Sequence, residues 1–237
     1  MKKLFLTAAI SVSFWSFASA QFLIGYKAGY WNPNEINRVI YLYNTVNNTG
    51  KNHIDKEMPK LHLNTGVTIG YSFNLDNEAI FELRWSNKHS VISSHFESGG
   101  QPYERDFKVR SNMLEFGFGR TKEHYRYGGS LDLGNFKGWG RKGPESDPGK
   151  YVKLFQLDPS PLVRTQVGFT GWFQFDYKIA GIRLYYQFAA MKMKFDSFDQ
   201  WMLGTPVIPN YIAPKALEDR ASNIGLEINF LLGKKYK

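Results

Sequence analysis

The sequence predicts an all-β chain folded as a closed antiparallel eight-stranded transmembrane up-and-down β-barrel, on three observations. Aromatic residues make up 16% of the chain and glycines number 22, while no convincing amphipathic helix is evident. Apolar and polar residues alternate with period two, the signature of a sheet with two unlike faces. The segments between the alternating stretches are by turns short and long, as in membrane barrels with short turns at one end and long loops at the other.

The first twenty residues read as a secretory signal: basic Lys2-Lys3, an apolar stretch over 4–17, and Ala18-Ser19-Ala20 ahead of Gln21. Ser11, Ser13 and Ser16 interrupt that stretch, which is too short for a membrane helix of about 20 residues. The expected organisation is a cleaved signal peptide over 1–20 and one barrel domain over 21–237.

Eight strands are expected, over 22–31, 61–73, 79–88, 107–119, 125–136, 163–178, 182–192 and 223–232. In the sixth, Val163, Val167, Phe169, Phe173, Phe175 and Tyr177 share one parity and Arg164, Gln166, Gln174 and Asp176 the other. In the third, Phe81, Leu83 and Trp85 oppose Glu82, Arg84, Ser86 and Lys88. Within 107–119 the apolar parity switches from Phe107 and Val109 to Leu114, Phe116 and Phe118, which predicts a β-bulge. Short connections fall at 74–77, 120–124 and 178–181, and long ones at 32–60, 96–105, 137–162 and 193–221. Both termini then share the short-turn end, which in an outer-membrane barrel faces the periplasm.

The polar parity decides which way the barrel faces. It carries Lys27, Glu82, Arg84, Arg126, Asp132, Arg164, Asp176, Arg183 and Glu227, with Gly25, Gly29, Gly66, Gly70, Gly128, Gly168 and Gly225 among them. Small residues leave room for long charged ones, and charges of both signs can pair in a narrow lumen, so this parity is expected to face inward. Aromatics such as Tyr26, Tyr71, Trp85, Tyr177 and Tyr186 fall on the apolar parity or near strand ends, where rings sit at headgroup depth.

The last strand, Asn223-Ile224-Gly225-Leu226-Glu227-Ile228-Asn229-Phe230, resembles the C-terminal insertion signal of outer-membrane barrels. Its elements are Asn223, Gly225, Ile228 and Phe230: a polar residue, a glycine two later, and two alternating hydrophobics. The chain then continues through Leu231 to Lys237 rather than ending on an aromatic. From signal to last strand the layout is similar to the small OmpA-type and porin-like outer-membrane barrels, particularly those of the Bacteroidota. The resemblance implies the outer membrane as location and the barrel-assembly machinery as a partner during insertion.

The functional expectation is a structural or binding barrel that presents long extracellular loops. The alternatives are a lipid-modifying enzyme at the rim and a narrow gated channel. The loop 193–221, with Phe195, Phe198, Trp201, Met202 and Tyr211, is the candidate binding loop, because apolar clusters in a solvent-facing loop usually mark an interaction site. A lid over the barrel's own mouth is the competing reading of the same residues. His89 and Ser90 lie side by side, but neighbours on a strand point to opposite faces and cannot form a dyad. No catalytic residue, metal site or cofactor is assigned. With no cysteine, disulfides and a lipid anchor through an N-terminal thiol are excluded. The formal charge of +9 becomes +7 without Lys2 and Lys3 and is scattered, so no nucleic-acid partner is expected. Outer-membrane lipid and lipopolysaccharide suit it better, with an envelope protein or glycan as a further partner.

Overall fold

A computed structural model of the chain describes residues 20–47, 53–75, 78–156, 166–194, 198–203 and 218–233. Residues 1–19 of the expected signal peptide lie outside them. The strands are β1 (Ala20–Trp31), β2 (His53–Lys56), β3 (Leu63–Asn74), β4 (Ala79–Ser98), β5 (Gln101–Lys122), β6 (Tyr125–Pro144), β7 (Val152–Gln156), β8 (Gln166–Tyr177), β9 (Ala180–Ala189), β10 (Lys192–Lys194), β11 (Glu218–Arg220) and β12 (Asn223–Leu232). Two helices, α1 (Asn34–Asn47) and α2 (Phe198–Leu203), lie in long connections.

Eight strands form a ring in the order β1, β3, β4, β5, β6, β8, β9, β12 and back to β1, every pair antiparallel. Between the first and last strands, Lys27 lies opposite Glu227 and Trp31 opposite Asn223. Closure leaves no unpaired edge in the ring, which is what a sheet needs to cross hydrocarbon. The faces divide as the alternation predicts. Phe173, Leu184 and Ile228 are 45, 58 and 45% exposed on the outside, whereas Glu82, Lys27 and Arg84 are at most 2% exposed on the inside. A water-soluble barrel has the reverse arrangement; apolar outside and charged inside is the organisation of a membrane barrel.

Three sequence expectations are corrected. The register from Ala79 against Arg120 to Ser98 against Gln101 is continuous, and so is that between β5 and β6, so there is no bulge in β5. The parity switch has another cause. Phe107, Val109, Met113 and Glu115 all face inward, and the interior itself changes from charged at mid-barrel to apolar at the mouth. β4, β5 and β6 also run to 20, 22 and 20 residues, against 12, 10 and 10 for β8, β9 and β12, so much of the expected loops 96–105 and 137–162 is strand. The turn joining β4 to β5 is Gly99-Gly100, with φ of 62° and 78°, the left-handed pair that a two-residue type I′ hairpin requires.

The third correction is α1, an amphipathic helix inside the expected loop 32–60. Ile36, Val39, Ile40 and Tyr43 recur at the spacing of one helix face and are buried. Asp219 on β11 supplies its N-terminal cap, accepting from the backbone of Glu35 (3.2 Å) and Ile36 (2.9 Å). Asn37 and Asn44 hold the returning chain: Asn37 Oδ1 accepts from Leu61 N (2.7 Å), and Asn44 Oδ1 from Met58 N (3.1 Å).

Candidate functional site

The inward parity forms a connected network at mid-barrel. Arg183 Nη2 donates to both oxygens of Glu82 (2.9 and 2.7 Å), and Arg84 and Arg126 stand 3.6 and 3.9 Å from the same carboxylate. Arg84 also donates to Glu227 and to Asn229 (2.9 Å). Arg126 donates to Asp176 (2.7 Å), Ser72 (3.1 Å) and Gln21 (2.7 Å), tying the short-turn end together. Lys27 reaches Glu115 (2.6 Å), which accepts from Ser86 as well (2.9 Å). Asp132 is held by Ser130, Thr170 and Gln187 at 2.6, 2.5 and 2.8 Å. Among the described residues it has no arginine partner. Opposite charges and hydrogen bonds offset much of the desolvation, although Arg84 Nε and Nη1 and Glu227 Oε2 are buried without a hydrogen-bond partner.

Glycines make this packing possible. A Cβ on Gly225 would lie 2.4 Å from Tyr185 Oη, and one on Gly128 2.8 Å from the Trp172 ring. The Arg183 guanidinium stacks on Trp172 at 4.1 Å, and the Lys27 ammonium lies 4.5 Å from the Tyr185 ring centre.

The structure brings Lys27, Glu82, Arg84, Arg126, Asp176, Arg183 and Glu227 into one buried network with Asp132 beside it, and Arg164 lies outside the described residues. Sequence reasoning left Glu115 and Lys88 out of that network. Their signal was present: each shares the parity of inward neighbours, Glu115 with Gly117 and Lys88 with Glu82 and Arg84. In the last strand Asn223 faces inward, donating to Gln187 (2.8 Å), and Ile228 and Phe230 face outward in the apolar belt.

At the mouth the interior is apolar and packed, with a cavity of about 20 Å³ beside Trp31, Val109 and Phe136. Phe198 of α2 packs on Phe107 with ring centres 4.5 Å apart, and Trp201 covers Gly140, where a Cβ would lie 2.2 Å from its ring. Arg105 stacks on Tyr43 (4.7 Å) and Trp201 (5.4 Å) and donates to the Met202 carbonyl, joining α1 to α2. Phe198 and Met202 are thus buried, which corrects their expected exposure as binding-loop anchors; Trp201 is half-buried. Their apolar surface is satisfied by the barrel's own mouth. Phe195 and Tyr211 lie outside the described residues.

No family model and no curated protein matches the chain. Two solved structures of Ail, the attachment invasion locus protein of Yersinia pestis, are similar at 14% identity, covering 89% of this chain and 97% of that one with a TM-score of 0.38. One of them holds the heparin analogue sucrose octasulfate.

Beyond the belt, β4, β5 and β6 continue as a wall, with β2 and β7 paired to its two edges. On its outer face Asp106 is buried beneath Arg141 and Tyr151, accepting from Arg141 Nε (2.5 Å) and Tyr151 Oη (3.0 Å). Burial pushes this carboxyl up, but hydrogen bonds from Ser93, Arg141 and Tyr151 and the guanidinium charge outweigh it, so its pKa lies below the usual aspartate value. A lowered carboxyl pKa stabilises the fold above the unfolded value of about 3.9 and loses that contribution as pH falls through the folded one. The protection of amides at residues 139–151 against hydrogen exchange, taken relative to the intrinsic rate at each pH, is therefore expected to fall below about pH 4 in the native chain. In Asp106→Asn protection should be lower already at pH 7 and respond less to acid. Unchanged protection in both would sink this reading.

His95 Nδ1 lies 2.7 Å from Glu145, but the adjacent Ser94 points inward to Tyr43 (3.0 Å) and cannot serve as its nucleophile. His89 faces outward and Ser90 inward, as their adjacency on β4 dictates.

Proposed function

We propose that the chain is an integral outer-membrane barrel without catalytic activity, which holds a closed lumen and presents an extracellular surface to a partner. The observation that carries this is the inequality of the strands. About ten extra residues on β4, β5 and β6, at about 3.3 Å each and tilted, raise a wall about 25 Å beyond the membrane. Below the wall the charged network fills the lumen, and above it α1 and α2 fill the mouth, so solute passage is not supported. The partner surface is then the outside of the wall rather than the buried residues of α2. Cleavage after Ala20, periplasmic termini and recognition of the last strand by the assembly machinery belong to the same proposal. A glycan or envelope protein is the proposed class of partner.

The chain has no cysteine, so single introduced thiols report topology directly. In intact cells Gln101→Cys at the wall's tip is expected to react with a membrane-impermeant maleimide, and Glu123→Cys at a short turn only after permeabilisation. The protein should fractionate with the outer membrane, migrate faster unboiled than boiled, and give no large, stable currents in planar bilayers. Reversed labelling, recovery as a soluble protein or sustained conductance would each defeat the proposal.

A further inference from the structure

The outer face of β4, β5 and β6 changes character in three registered rows as it leaves the apolar belt. Trp85, Leu114 and Leu133 are the last apolar row. Asn87, Asn112 and Asn135 follow, directly opposite one another, their side-chain amides 2.5 and 3.2 Å apart, and the Asn87 amide oxygen accepts from the Arg110 guanidinium (2.5 and 2.8 Å). Next come His89, Arg110 and Lys137 side by side, then Val91, Lys108, Trp139 and Lys153. At two residues per row on tilted strands, the amides sit about 5 Å and the first cations about 10 Å above the belt. That is the depth of lipid headgroups.

Two further observations point to a ligand. Like charges directly opposite one another destabilise a sheet, yet Arg110 faces Lys137 here. Among the described residues, none of Lys108, Arg110, Lys137 and Lys153 has an ion pair, while the nearby carboxylates Asp106 and Glu104 are engaged by Arg141 (2.5 and 3.6 Å). Beside the row, an open groove of about 340 Å³ is lined by Leu63 and Val91 together with Lys60, His62 and His89.

We infer that these rows form a seat for the phosphorylated headgroup of an outer-leaflet glycolipid, sugar hydroxyls and amides on the asparagine row and phosphate on Arg110, Lys137, Lys108 and Lys153. The inference rests on the proposed outer-membrane location and adds a specific lipid contact to it. Asparagine side chains offer both donors and acceptors to a sugar, and a phosphate relieves the repulsion between Arg110 and Lys137. The Trp139 ring beside Lys108 sits where amphipathic rings anchor at headgroup depth.

The test uses the purified, folded chain in phosphatidylcholine nanodiscs containing a trace of bis-phosphorylated lipid A, of the same lipid A stripped of its phosphates, or of phosphatidylglycerol. Bound lipid is read by native mass spectrometry. The native chain is expected to retain the phosphorylated lipid A about tenfold better than either alternative, a difference of about 1.4 kcal/mol. Arg110→Glu combined with Lys137→Glu should erase that preference, while Lys122→Glu at the opposite end of β5 should keep it. Each variant is first checked for an unboiled gel shift, and Gln101→Cys labelling in cells confirms that location is unaffected. Equal retention of both lipid A forms, equal retention of phosphatidylglycerol, displacement by millimolar inorganic phosphate, or a preference surviving the double substitution would overturn the inference. None of these outcomes would disturb the surface labelling on which the outer-membrane proposal rests.

Discussion

Replacing Glu82 with alanine is expected to cost about 3–5 kcal/mol, enough to abolish or sharply destabilise the folded barrel. Glu82 is fully buried and is approached by three guanidinium groups, from Arg183, Arg84 and Arg126. Removing the carboxylate leaves those cations in a lumen that side chains already fill, with Glu227 and Asp176 as their direct partners and Glu115 further off to balance them. Glu82→Gln keeps an acceptor for Arg183 but not the charge, so it should recover only a minor part of the loss. The Lys27–Glu115 pair supplies the contrast. Lys27→Met alone should be strongly destabilising because Glu115 stays buried without its cation, whereas Lys27→Met with Glu115→Leu should return close to the native stability. Denaturant unfolding in detergent, followed by the unboiled gel shift, measures all four. A Glu82→Ala barrel within about 0.5 kcal/mol of the native one would show that the network contributes nothing net.

The barrel was legible because period-two alternation is a direct consequence of strand geometry and the belt imposes it around most of the ring. Where the environment is less uniform, the sequence misled. At β5 the parity rule assumes that the interior is polar throughout. Phe107 and Val109 face the same side as Glu115, but they meet the apolar residues of the plug rather than the charges below. A switch in what fills the lumen produced the pattern of a bulge without one. The helix α1 carries Ile36, Val39, Ile40 and Tyr43 at helical spacing in a stretch expected to be loop, and its cap lies 184 residues from Glu35 in sequence, at Asp219. A local search for capping residues could not find that partner. The individual lumen pairs were illegible for a related reason. They depend on which strands face each other across the barrel, as Lys27 and Glu115 do, and not on neighbouring strands alone.

The second large effect is expected at the mouth. Phe198→Asp should release α2 from the barrel, because Phe198 is fully buried against Phe107 in an apolar cluster, and the nearby Arg105 is already stacked on Tyr43 and Trp201. Truncation to alanine alone should cost about 3–5 kcal/mol, and a charge adds its own desolvation. The cost falls on the plug and not on the ring. β1, β3, β8, β9 and β12 pair below it, and the lumen network makes no contact with Phe198. Hydrogen exchange in residues 198–203 should therefore approach the rate of open chain, and α1 should loosen as it loses the Arg105 bridge to Met202. The unboiled gel shift should persist, and planar-bilayer recordings should still give no large currents, since the charged layer remains in place beneath the vacated mouth. Conductance in Phe198→Asp would mean that the plug, and not the ion-pair network, is what closes the barrel.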